Sequence, residues 1–203
     1  MKQLKLIGLT GLYCAGKNHL AALLEKRGLP VLDVDTLGHQ ALLTEKAAII
    51  RRFGTAILGP GGEVDRRLLG KKVFGSSEEL AALEAIVHPA ANRLTETWIA
   101  GQSRLCVINA AVIHKSSVYE RLDALIVVRA PFFVRLFRAW KRDRLPFREL
   151  VKRLNSQVTF PFRSAGNTQL FSAPADMYRV SNFPGTRRSL EKQIAVILGK
   201  ISR

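Results

Sequence analysis

Gly11, Gly16 and Lys17 stand at the spacing G-x-x-x-x-G-K within Leu6-Ile-Gly-Leu-Thr-Gly-Leu-Tyr-Cys-Ala-Gly-Lys-Asn18. That pattern suits phosphate chemistry. Glycines let a turn curl until its N–H groups point inward at phosphate oxygens, and a following helix adds its positive N-terminus. The lysine then reaches the β- and γ-phosphates. Gly11, Leu12, Tyr13, Cys14, Ala15, Gly16, Lys17, Asn18 and His19 are therefore the candidate nucleotide-contacting residues. The position after the lysine ordinarily supplies a hydroxyl to Mg²⁺, and here it is Asn18. An amide oxygen is also a hard-cation ligand, so Asn18 is the candidate metal residue. The plainer reading, a glycine-rich connection with a chance lysine, fits the context less well. An apolar run precedes the loop, and the helical pattern Leu20, Leu23, Leu24 follows it.

Carboxylates come next, at Leu29-Pro-Val-Leu-Asp-Val-Asp35. Asp33 and Asp35 close a short apolar run, and on an extended backbone residues two apart share a face. At the carboxyl end of a strand beside a phosphate loop, such a group can accept a hydroxyl proton or hold Mg²⁺ through water. An Asp there can equally cap the next helix, and one of the pair can cap while the other does chemistry. Further on, Arg135, Arg138 and Arg142 recur at i, i+3 and i+7 and so line one helical stripe. Forked cations grouped this way suit a transferring phosphoryl group, though a solvated basic face is the competing reading. Arg66, Arg67 and His88 could meet an anionic substrate, and a salt-bridged surface accounts for the arginines nearly as well.

These residues need a scaffold, and the pattern supplies one. Residues 4–10 read as a strand apolar on both faces, as in a covered parallel sheet. Helices are predicted over about 17–27, ending at Gly28, and from Thr36 to about Arg52. The stretch 53–101 has no strand long enough for a main sheet. Asp65 is placed to cap a helix running to Phe74, Ser76 opens another, and Pro89 is expected to bend or interrupt it. Residues 104–109 and 124–128 return as inner strands, and Pro131 suits the first residue of a helix. Phe160 to Ala175 reads as loop, followed by a strand near Met177–Val180. Leu190, Ile194, Ile197 and Ile201 give a last helix its core face.

At 203 residues the chain can bury one substantial core with a small inserted subdomain. It shows no apolar run of about 18 residues to span a membrane and no signal-peptide pattern. Cys14 and Cys106 make neither a disulfide framework nor a metal cluster, so a reducing, cytoplasmic setting is expected. The formal net charge is +16. Such a balance suits polyphosphate ligands, nucleic acid or an anionic membrane surface. The aromatics among the late basic residues (Phe132, Phe133, Phe137, Trp140, Phe147) fall at helical spacing and are expected to face a core. A nucleic-acid role therefore ranks below a phosphate-substrate site.

Taken together, the chain resembles the dephospho-coenzyme A kinases. The resemblance rests on Thr10-Gly-Leu-Tyr-Cys-Ala-Gly-Lys17, Leu32-Asp-Val-Asp35, Val64-Asp-Arg-Arg-Leu-Leu-Gly-Lys-Lys-Val-Phe74 and Leu83-Glu-Ala-Ile-Val-His-Pro89. It continues in Arg138-Ala-Trp-Lys-Arg-Asp143, Arg153-Leu-Asn-Ser-Gln157, and Ala175-Asp176 followed by Asn182. It implies an α/β P-loop kinase fold with a five-stranded parallel sheet, a helical substrate subdomain and an arginine-bearing lid. In this chain those map to a core of about 1–52, 102–130 and 175–203, a subdomain of about 53–101 and a lid of about 138–174. It also implies that ATP, with Mg²⁺, phosphorylates the ribose 3′-hydroxyl of dephospho-coenzyme A. Asp35 is then the base or hydroxyl-orienting group, with Asp33 in support. Lys17 holds ATP phosphates, Arg138 and Arg142 close over the transferring group, and Arg66 and His88 are substrate-side candidates. The expected partners are these two small molecules, with no membrane, for a monomer or weak oligomer.

The chain departs from that family at two places. Asn18 replaces the hydroxyl residue, and Asn109-Ala-Ala-Val-Ile-His-Lys115 replaces an acidic residue followed by P-L-L-F-E. Two alternatives therefore stay open: a nucleotide-binding homologue with reduced or lost kinase activity, and a kinase for another small hydroxyl substrate.

Overall fold

The computed structural model describes residues 4–156, 176–183 and 186–201. The loop expected from Phe160 to Ala175, and the expected lid beyond Ser156, lie outside the described residues. In chain order the elements begin β1 (Lys5–Gly11), α1 (Lys17–Glu25), β2 (Val31–Asp33), α2 (Val34–Thr44), α3 (Lys46–Phe53), α4 (Arg66–Val73) and α5 (Ser77–Ala100). They continue β3 (Leu105–Asn109), β4 (Ala124–Arg129), α6 (Phe132–Asp143), α7 (Phe147–Ser156), β5 (Asp176–Ser181) and α8 (Arg187–Ile201). The chain divides into two compact units, Met1–Leu32 with Gln102–Arg203, and Asp33–Gly101.

The first unit is built on a five-stranded sheet of order β2-β3-β1-β4-β5. β1 lies in its middle, pairing in parallel with β3 (Ile7 opposite Val107) and with β4 (Ile7 opposite Ala124). Its run is apolar because both faces are covered: Ile7, Leu9, Val107, Ile126 and Val180 form one core with Leu20 and Leu24 of α1. Leu190, Ile194, Ile197 and Ile201 of α8 join that core, as their spacing predicts. The strand order reverses at β1, so the loop leaving its carboxyl end sits where ligands gather on open α/β sheets.

The second unit is helical. The single helix predicted from Thr36 to Arg52 is two, parted at Glu45, whose backbone (φ −95°, ψ 16°) leaves the helical region. The two halves bury different partners. Ala41 of α2 packs with Ala90 and Ala91, whereas Ile49 and Phe53 of α3 pack with Ile57, Leu69 and Val73. Both halves group with α4 and α5 in the unit Asp33–Gly101, so the helical unit starts some twenty positions before the expected 53. Pro89 does not interrupt α5, which runs through it from Ser77 to Ala100. Proline removes only the bond to the carbonyl of Ala85, an exposed residue that water can serve, while Ala90, Ala91, Thr95 and Ile99 stay buried beyond it. Asp65 and Ser76 cap α4 and α5 as predicted, accepting from Arg67 and Leu68, and from Glu79. No helix among the described residues is long and apolar enough to cross a membrane.

Candidate active site

Two neighbours explain why the loop after β1 requires its glycines. A Cβ on Gly11 would lie 2.9 Å from the Val128 carbonyl oxygen on β4. Gly16 has φ +97°, and a Cβ there would lie 2.0 Å from Asn182 Nδ2. Between them Cys14 takes a left-handed φ of 58°, uncommon for a residue with a side chain. The Ala15 amide donates to the Leu12 carbonyl at 2.9 Å and closes the turn. Lys17 is the first residue of α1, Asn18 and His19 are exposed beside it, and no side chain caps that helix. The positive end of a helix that starts there favours an anion.

The underside of the loop is anchored from far along the chain. Asn182, buried at the end of β5, donates from Nδ2 to the Ala15 carbonyl at 2.8 Å, and its own amide donates to the Arg129 carbonyl at 2.8 Å. Arg138 donates to the same Ala15 carbonyl and to the Asn182 carbonyl, each at 3.2 Å. Sequence reasoning did not foresee this clamp. Its only signal was the Asn182 of the family resemblance, and nothing local tied that residue to the loop.

α6 contradicts the expectation that its aromatics face a core. Phe133, Phe137 and Trp140 are each more than 60% exposed, Phe132 is 44% exposed and Phe147, at the start of α7, is also exposed. The buried residues of α6 are instead Arg135 and Ala139. The helix is turned so that its arginine stripe meets the loop. Arg138 reaches Ala15, and the Arg142 guanidinium carbon lies 4.9 Å above the Tyr13 ring. Asp143 holds Arg142 through a fork of bonds at 2.7 and 3.2 Å. The Cys14 thiol feels Arg142, Arg135 and Arg138 together; burial nevertheless pushes its pKa up, so it stays protonated. A glycine loop with guanidiniums grouped against it is a receptor for concentrated negative charge.

The second unit holds the acidic pair and the substrate-side candidates. β2 stops at Asp33 and α2 begins at once, so Asp33 and Asp35 do not sit on one face of an extended strand. Asp33 is the cap: its Oδ1 accepts from the Asp35 amide at 3.0 Å, and its carbonyl accepts from the Thr36 hydroxyl at 2.6 Å. Asp35 is exposed in the first turn of α2. Arg66 is exposed at the start of α4, and His88 is half-buried in the middle of α5.

The departing segment 109–115 leaves the carboxyl end of β3 in the first unit. Asn109 is buried and its Oδ1 has no hydrogen-bond partner among the described residues. Ala111 accepts a bond from the Thr10 hydroxyl at 3.2 Å and so ties the segment to the end of β1. Among the described residues no group of three or more His, Cys, Asp or Glu side chains is placed to hold a metal. Mg²⁺ in phosphoryl-transfer sites needs few protein donors, because phosphates and waters fill most of its shell. An exposed amide oxygen on Asn18, beside the loop lysine, fits that modest demand.

A central parallel strand running into a glycine loop and helix, with guanidiniums turned onto the loop, defines a nucleotide-binding protein of the P-loop kinase fold. A crystal structure from Thermus thermophilus shares that fold, with a TM-score of 0.77, 29% identity and 98% of each chain covered. The dephospho-CoA kinase family description matches residues 5–171, and the chain belongs to that family. The dephospho-CoA kinase of Anaeromyxobacter dehalogenans is 37% identical over 169 residues, 80% of each protein. That of Geobacter sulfurreducens is 31% identical over 204 residues, covering 97% of this chain and 98% of its own.

Proposed function

We propose that this chain transfers the γ-phosphoryl group of ATP to the ribose 3′-hydroxyl of dephospho-CoA, giving CoA and ADP. The observation that carries this reading is the loop Gly11–Lys17 with the arginines of α6 turned onto it, in a chain of the dephospho-CoA kinase family. Phosphoryl transfer asks a protein chiefly for positioning and charge stabilisation. Loop amides and Lys17 bind the β- and γ-phosphates, and Arg138 and Arg142 neutralise charge on the group in flight. The acceptor oxygen forms its bond to γ-phosphorus as the bond to the bridging β–γ oxygen breaks, and ADP leaves with that electron pair. Asp35 takes the hydroxyl proton, while Asp33, by capping α2, fixes the backbone that presents it. Mg²⁺, held by phosphate oxygens, water and the Asn18 amide oxygen, would neutralise further charge on the phosphates. Arg66 and His88 are the substrate-side residues of this reading, and the protein works as a cytoplasmic monomer or weak oligomer with two small-molecule substrates.

Two variants test it in an ATP- and dephospho-CoA-dependent assay. Lys17→Ala should lower kcat/KM by about 100-fold or more, the usual cost of one preorganised charge-stabilising donor. Asp35→Ala should lower kcat by about 10²–10⁴, the range for a general base, and leave KM for ATP nearly unchanged. Turnover like the wild type's in Asp35→Ala would remove that residue from the mechanism. A competing reading, ATP binding with little transfer, is favoured by Asn18 and by the engagement of Arg138 with two backbone carbonyls. It requires that the unmodified protein bind ATP tightly yet make no product.

A further inference from the structure

Arg135 is the most deeply buried cation of the α6 stripe, at 5% exposure, and its Nε and Nη1 have no hydrogen-bond partner among the described residues. A buried, unpaired guanidinium is costly and persists only where something compensates it. Its surroundings in the described structure do not. Its carbon lies 5.9 Å from the Phe132 ring centroid, at the limit of a cation–π contact. Its neighbours on the same helical stripe, Arg138 and Arg142, reach Ala15 and the Tyr13 ring of the phosphate loop, and they are cations too. Residues 157–175, 184–185 and 202–203 contain no Asp or Glu side chain that could serve instead. Meanwhile α6 gives its water-facing side to Phe133, Phe137 and Trp140 and its buried side to Arg135, the reverse of what burial of apolar area favours. Folding alone does not explain that choice; an arriving anion does.

We propose that Arg135 is a third anion-binding residue of the loop, its unpaired Nε and Nη1 donating to a polyphosphate oxygen bound there. The proposal rests on the nucleotide reading of the loop and extends it, because it assigns a ligand contact to a residue that Arg138 and Arg142 do not replace. It also gives the free protein a stored cost that ligand binding relieves.

The test is calorimetric binding of ATP and, separately, of inorganic tripolyphosphate to the wild type, Arg135→Met and Arg135→Lys, with the ligand-free Tm of each. Loss of a charge-assisted bond should weaken both ligands about tenfold or more in Arg135→Met, with part of the affinity kept in Arg135→Lys. The ligand-free Tm of Arg135→Met should hold or rise, whereas a merely structural arginine would lower it. Unchanged affinity of Arg135→Met for tripolyphosphate would overturn the proposal whatever its Tm. Arg135-dependent binding of tripolyphosphate without binding of ATP would uphold the anion site and reject the nucleotide reading. Binding of neither ligand by the wild type would reject both.

Discussion

Gly16 is held by two separate constraints, a left-handed backbone and the side chain of Asn182 pressed against it. Gly16→Ala therefore meets a clash as well as the backbone penalty of about 1–2 kcal/mol for a side chain in that region. Asn182→Ala removes the buried bond to Ala15 and costs about 1–3 kcal/mol. The double variant loses the clash along with the bond, so its destabilisation in urea should be less than the sum of the two. Strict additivity would mean that the two residues do not press on each other. The glycine spacing and the lysine were legible in the sequence because a phosphate loop is a local object. Asn182 was not, because its contact with Ala15 spans 167 positions and depends on where β5 ends. The arginine stripe does meet the loop as its spacing suggested, but the aromatics of the same helix, expected to face a core, are exposed. Periodicity shows which residues share a face but leaves open which face turns inward, and aromatics are the ordinary guess.

At the scale of elements, caps were the most legible feature, since Asp65 and Ser76 satisfy amides two and three residues away. Those bonds hold the Asp65 carboxyl below its ordinary pKa. The sign follows directly: a depressed folded pKa gives stability that is present above the unfolded value and lost as pH falls through the folded one. Asn caps about as well as Asp but does not titrate. The advantage of wild type over Asp65→Asn in urea midpoint should thus be full above about pH 5 and shrink as pH drops below the ordinary Asp value near 4. A difference that stays constant from pH 6 to pH 3 would contradict the cap's charge dependence. The break at Glu45 and the passage of α5 through Pro89 were not legible. Both are decided by what each helix packs against, namely Ala41 on Ala90 and Ala91, and Ile49 and Phe53 on Leu69 and Val73.

For the molecule as a whole, the apolar runs and the phosphate loop were enough to read the α/β class. The grouping of 34–53 with the later helices was not, since a boundary inside a strand–helix junction leaves no mark in composition. The net charge of +16 finds part of its use in the guanidiniums around the loop, a field that concentrates polyphosphate ligands. Family membership and the loop geometry converge on one reaction, and Asn18 and the 109–115 segment are the features that put its rate in question. The direct measurement is incubation of the purified protein with Mg²⁺-ATP and dephospho-CoA, with the product read by mass and its phosphate position by phosphorus–proton NMR. Repeated turnover to a product one phosphate heavier, esterified at the ribose 3′-oxygen, is the expected result. Tight ATP binding with no phosphorylated dephospho-CoA would contradict the proposed activity and leave a nucleotide-binding member of the family.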